Sequence, residues 1–140
     1  MVRRRSTTNT PKRSTAGHRT ETLRKVLGSK AGASANPMNA PRGRSPSVEI
    51  YKIMGKMFAI LSLREPESVI LKCDPNLAQA LREQYTGVGH RSHLDQRYWI
   101  CVTLDADVPM KEIEQLIGHS YQLVCATLTR KQRDELASLS

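Results

Sequence analysis

Nowhere does the sequence run to the eighteen or so consecutive apolar residues that a membrane-spanning helix requires. Its apolar stretches are of the length of Met57–Leu61. The cluster Arg3-Arg4-Arg5 is not followed by the apolar segment that makes such a cluster a secretory leader. Export and membrane insertion are therefore not expected, and the expected location is the cytoplasm. Cysteine is sparse: Cys73, Cys101 and Cys125 are odd in number and widely spaced, which suits neither a disulfide framework nor a zinc site of the Cys-x-x-Cys kind. Reduced, buried thiols are the expectation. Also missing are helix-turn-helix punctuation, an aromatic RNA-binding motif and a Gly-x-Ser-x-Gly elbow, and Gly87-Val88-Gly89 is too short for a phosphate loop. The chain is expected to have no catalytic residues, to bind no cofactor or metal and not to be an enzyme.

Acidic residues are missing from one part of the chain in particular. Residues 1–47 hold eleven Lys and Arg against the single acid Glu21, a net of +10, whereas residues 48–140 hold eleven bases and twelve acids. The formal charge of +9 on the 140-residue chain thus belongs to its first third. An anionic partner is implied only where those charges cluster on a surface the partner can touch.

The same first third is rich in Ser, Thr, Pro, Gly and Ala, with Leu23, Val26 and Leu27 as its few large apolar side chains. Such a composition buries too little surface to offset the entropy of ordering it. Residues 1–47 are expected to form a basic, mostly disordered N-terminal arm, with at most one short helix that Thr20 caps and Gly28 ends. Gly32–Ser47, with Pro37, Pro41, Gly43 and Pro46, reads as linker.

From Val48 the pattern changes. Val48–Met54, Met57–Leu63 and Ser68–Cys73 are apolar runs of strand length, and Gly55-Lys56 suggests a type II′ hairpin turn. Asp74-Pro75 opens a helix, with Asp as its cap and Pro at its first position. Tyr98–Leu104 alternates strictly, with Tyr98, Ile100, Val102 and Leu104 on one side and Arg97, Trp99, Cys101 and Thr103 on the other. A longer helix from about Pro109 to Thr127 follows, and Thr129 with Gln132 has the form of a capping box for a last short one. The expected domain is residues 48–140, of the α+β class and order βββαβαα: an antiparallel sheet with helices packed on one face.

Four blocks in this order carry a resemblance: Ile50-Tyr51-Lys52-Ile53-Met54-Gly55-Lys56-Met57-Phe58-Ala59, Leu71-Lys72-Cys73-Asp74-Pro75, His93-Leu94-Asp95-Gln96-Arg97-Tyr98-Trp99 and Ser120-Tyr121-Gln122-Leu123-Val124. Over about Tyr51 to Leu136 the chain resembles the MmcQ/YjbR family. The resemblance implies a CyaY-like α/β fold and a role in DNA binding in a bacterial cytoplasm. Members usually begin with an amphipathic helix that packs on the sheet; here only the weak Thr20–Leu27 segment offers one, and Asn36–Ser47 has none of the aromatic residues of the usual lead into the first strand.

DNA recognition calls for cations that meet phosphates and for flat or hydrogen-bonding groups that meet bases. The candidate nucleic-acid-binding residues are Lys52, Lys56, Lys72, His93, Arg97 and Trp99, with DNA the expected partner and the basic arm a second, sequence-independent contact. Against this stands the plainer reading of Lys52 and Lys72 as solvated strand residues, Lys56 as a hairpin-tip charge and Trp99 as a packing residue. A protein partner on the sheet face around Trp99 is the alternative. His90, His93 and Asp95, or Asp105 and Asp107, do not complete a metal site, and Asp-x-Asp before a helix is usually turn and cap chemistry.

Overall fold

The computed structural model describes residues 11–38, 48–64, 66–89 and 94–139. In chain order they form α1 (Pro11–Gly28), β1 (Ala33–Met38), β2 (Val48–Ile53), β3 (Lys56–Ser62), β4 (Ser68–Lys72), α2 (Pro75–Gln84), β5 (Val88–Gly89), β6 (Trp99–Thr103), α3 (Met110–Cys125) and α4 (Arg130–Leu139). The six strands make one antiparallel sheet in the order β1-β2-β3-β4-β6-β5.

Because partners in an antiparallel pair point to the same side, the register identifies the core face directly. Ala59 lies opposite Leu71 and Leu61 opposite Val69, which in turn meet Ile100 and Val102. All six are buried. The α3 side chains Ile113, Leu116, Ile117 and Val124 join this cluster, as do Ala78 and Leu81 of α2 and Leu23 and Leu27 of α1. The fold is thus the expected α+β sheet with its helices on one face.

The ordered unit does not begin at Val48. Leu23 and Leu27 are fully buried, and β1 pairs with the whole of β2 from Ala33 opposite Ile53 to Met38 opposite Val48. Thr20, expected as a helix cap, instead lies inside α1 and is buried. Cations of this region are also tied to the domain. Arg19 donates to the carbonyls of Leu104 and Val108, Arg24 to Glu49 at 3.1 Å and to Glu21, and the Tyr121 hydroxyl reaches the Ala31 carbonyl at 2.6 Å. Composition misleads because three apolar side chains at helical spacing suffice when a preformed sheet receives them. Residues 1–10 and 39–47 of the expected arm lie outside the described residues.

Two local devices shape the sheet. The β2–β3 turn has Met54 at φ 49° and Gly55 at φ 80°, so both central residues are left-handed. This is a type I′ turn over Met54-Gly55, not a type II′ turn over Gly55-Lys56, and its twist matches that of the strands it joins. Next to it the register passes from Tyr51 opposite Ala59 to Lys52 opposite Met57, which leaves Phe58 as an extra residue, a β-bulge. Phe58 thereby turns inward beside Ala59, and its ring meets Tyr121 edge-on at 5.5 Å.

The bulge also ends the β3–β4 ladder at Ala59 and Leu71. Ser120 of α3 supplies the next rung: its hydroxyl donates to the Phe58 carbonyl at 2.6 Å and accepts the Lys72 amide at 2.9 Å. A fully buried side chain thus joins helix, bulge and the end of β4.

Candidate nucleic-acid interface

At the end of β4 the chain leaves the sheet through Cys73, whose amide donates to the Tyr98 carbonyl at 2.7 Å. Asp74 then caps α2 as expected, accepting the amides of Asn76 and Leu77 at 3.1 and 3.2 Å. Trp99, the single tryptophan, begins β6 directly opposite Lys72. These junctions and the C-terminal end of α3 enclose a cleft of about 470 Å³, with Lys72, Cys73, Tyr98, Trp99, Leu123 and Thr127 in its lining.

Four of the six candidate residues lie in or near this cleft. Lys72 and Trp99 line it. Lys56, at the hairpin tip, reaches its rim: Nζ donates to the Thr127 carbonyl at 2.9 Å and lies 3.2 Å from the Thr127 hydroxyl. Lys52 occupies the same side of the sheet as Lys72, since Ile50, Ile60 and Ile70 form one cross-strand row and the two lysines stand two residues further along their strands. With strands about 4.8 Å apart, this puts their backbones roughly 10 Å apart. Both lysines are half-buried, and neither ammonium has a hydrogen bond or ion pair with a described residue.

Arg97 lies next door. It lines a second cleft of about 520 Å³ with Asn76, Gln79, Arg82 and Gln96, and the two clefts share Pro75. Arg97 pairs with Asp95 at 2.9 Å and stacks 5.5 Å from the centre of the Tyr98 ring. The pair is bidentate, Nε and Nη2 donating to the two Asp95 oxygens at 3.2 and 2.9 Å, and both partners are well exposed, so water and salt screen it. Arg82 is more firmly placed, donating to the carbonyls of Gln96 and Trp99. His93 lies outside the described residues.

Sequence alternation placed Tyr98 on one side with Ile100, Val102 and Leu104, the side that is buried. The structure corrects this: β6 starts one residue later, Tyr98 closes a turn through its amide to the Asp95 carbonyl at 3.0 Å, and its side chain is 42% exposed. It is the one large hydrophobic side chain that stands exposed among the described residues. Thr127 and Leu123 were also missed as site residues, because only the tertiary path of α3 brings them to β4. Burial pushes the Cys73 thiol up to about 11, with Asp74 adding to the effect. The nucleophile in the cleft is therefore held protonated.

Asp107, weighed above as turn or cap, does not cap α3, whose N-cap is Pro109. Its carboxylate accepts the Thr86 and Gly87 amides at 2.8 and 2.7 Å, clamping the turn before β5. Those two hydrogen bonds, Gly87's first, hold its pKa below the usual carboxylate value. No helix among the described residues is long and apolar enough to cross a membrane.

The model of the YjbR family matches residues 34–123, a span that includes the lining of both clefts except Thr127. An Escherichia coli K12 relative described as uncharacterized protein YjbR is 33% identical over 89 residues, covering 63% of this chain and 75% of the relative. An Escherichia coli O157:H7 relative, uncharacterized protein YbdF, is 27% identical over 89 residues, covering 63% and 73%. Among solved structures, the Deinococcus radiodurans protein DR2400, described with the domain DUF419, superposes with a TM-score of 0.72 at 26% identity over 84% of this chain and 86% of that one. A Pseudomonas syringae protein shares the fold, with a TM-score of 0.60 at 22% identity over 74% and 96%.

Proposed function

The chain belongs to the YjbR family, and on that premise we propose that it is a cytoplasmic DNA-binding protein that acts by contact rather than by catalysis. One observation carries the reading: Lys52, Lys72 and Trp99 share one side of the sheet, with Lys56 and Arg97 at the edges of the same clefts. Two ammonium groups without described partners, beside an aromatic ring, are the elements that phosphate contact and base contact respectively require. The excess positive charge of residues 1–47 adds attraction without sequence preference. The protonated Cys73 thiol is suited to packing, not to nucleophilic attack.

The alternative, a protein partner, has its own support in the half-buried row of Ile50, Ile60 and Ile70. Salt separates the two. Fluorescence anisotropy of labelled DNA, supplied both as a single strand and as a duplex, is followed from 20 to 300 mM salt. Each phosphate contact contributes about −0.7 to −0.9 to the slope of log affinity against log salt. Lys52→Ala with Lys72→Ala should flatten that slope by about one to two units. Failure of both DNA forms to bind at the lowest salt would end the DNA reading and leave the isoleucine row as the surface to pursue.

A further inference from the structure

Resting on the DNA reading above, we propose that the form of DNA this site takes is single-stranded, with one unstacked base held in the cleft between Trp99 and Leu123. The shape of the surface argues against a duplex. Six strands about 4.8 Å apart make a face roughly 24 Å wide, whereas the major groove is about 12 Å wide and admits a helix or a two-stranded ribbon. A broad sheet reaches the base edges of a duplex only where the duplex is bent and its groove widened, at a deformation cost. A single strand lays its bases down on such a face, stacking them on aromatic rings.

The cleft has the chemistry for one base. Its volume of about 470 Å³ lies in the range that holds a small planar ligand. Trp99, Tyr98 and Leu123 supply apolar lining, and Thr127 adds a hydroxyl that donates to the Val124 carbonyl at 2.7 Å. Lys72 lines the same cleft, and the Lys56 ammonium already sits on the Thr127 carbonyl, where a phosphate oxygen can replace or join it.

Continuity supplies the path. The second cleft begins at the shared Pro75 and presents Arg82 and Arg97. Its Arg97–Asp95 pair, though bidentate, is exposed, so the next phosphate along the strand can compete with the Asp95 carboxylate for the guanidinium. Tyr98, exposed between the two clefts with Arg97 over its ring, offers a second stacking surface at the crossing point. A strand running over the two clefts therefore meets alternate rings and cations, the pattern of single-strand grooves.

Because Trp99 is the single tryptophan, its fluorescence reports the cleft alone. The full-length protein is titrated with a twelve-residue oligothymidylate and, separately, with a twelve-base-pair duplex, reading anisotropy of the labelled DNA and Trp99 emission together. The expected result is tighter binding of the single strand, with quenching that saturates at the same concentration as the anisotropy. Tyr98→Ala, at an exposed position, should weaken the single strand by about tenfold, within the range for one lost stacked base. Lys72→Gln should weaken it too, while both variants retain the parent melting temperature. Equal affinity for the two forms, with Trp99 emission unchanged, would overturn the single-strand inference and leave DNA binding standing. Absence of binding to either form would remove both.

Discussion

Ser120 hydrogen-bonds the Phe58 carbonyl from a helix, at the point where the sheet's own ladder fails. The same hydroxyl accepts the Lys72 amide, so the last residue of β4 is fixed by a side chain from the opposite layer. Removing it leaves a buried carbonyl and a backbone amide without partners. Ser120→Ala should cost about 1–3 kcal/mol, measured as a shift of the urea midpoint at unchanged slope. A cost near zero would mean that water or a strand shift repairs the rung.

Gly87 is held by contact and not by backbone conformation. A Cβ there would lie 2.7 Å from the Ala106 Cβ and 3.0 Å from Asp107 Oδ1. Gly87→Ala should therefore destabilise by about 1–3 kcal/mol, as overpacking does, and should loosen the amide bonds to Asp107. Thermal melting reads the first effect; hydrogen exchange at Gly87 and Thr86 reads the second.

The pH behaviour of Asp107 follows from its depressed pKa. The folded state binds the proton less readily than the unfolded state, so the group's contribution is complete above the unfolded value, near 3.9. It fades as pH falls through the lower folded value. Asp107→Ala should lower stability at pH 7, and the gap from the parent should narrow on acidification below pH 4. A gap that stays constant from pH 7 to pH 2.5 would show that the charge plays no part.

The thiols offer a chemical probe of the core. Cys73 is 1% exposed with its pKa raised to about 11, and burial also pushes Cys125 up. Alkylation of Cys73 by iodoacetamide at pH 8 should proceed only as fast as the protein opens. Rapid labelling of the native protein, located by mass spectrometry, would contradict the packing described around β4.

Residues before Val48 contribute to stability as well as charge. Leu27→Ala should cost about 2–5 kcal/mol, as for other buried leucines. A chain starting at Ser45 lacks α1 and β1, exposing the β2 edge and the α3 side chains that Leu23 and Leu27 cover. Its melting should be broad and shifted down, whereas a sharp transition at the parent temperature would return the boundary to Val48.

The sequence spoke clearly where one local rule decided the outcome. Strict alternation grouped Ile100, Val102 and Leu104 on one side, which the structure buries, Asp74 and Pro75 marked the start of α2, and Thr129 with Gln132 formed the reciprocal hydrogen bonds of a capping box. It was silent where partners made the structure. Ala33–Met38 alternates only small residues, Ala-Ser-Ala-Asn, and includes Pro37, yet it is a strand because β2 offers it a full register. The bulge at Phe58 is invisible within the continuous apolar run Met57–Leu61, since inward and outward residues look alike there. For the site, Lys72 and Trp99 were legible as residue types, but their cleft was not. Its other wall belongs to Leu123 and Thr127, some fifty positions later than Lys72 in the chain, and helix periodicity alone does not say which strand end they meet.

The two outermost strands bear on how the protein behaves in a crowded solution. On one side Pro37 of β1 has no amide hydrogen to offer, and on the other β5 is two residues long. Among the described residues, the proline interrupts the row of amide donors on one border and the other border is short, and both features hinder templated growth into a fibril by another chain. The sheet can therefore keep its isoleucine row half-covered and still resist edge-to-edge polymerisation, leaving its broad face available for reversible encounters.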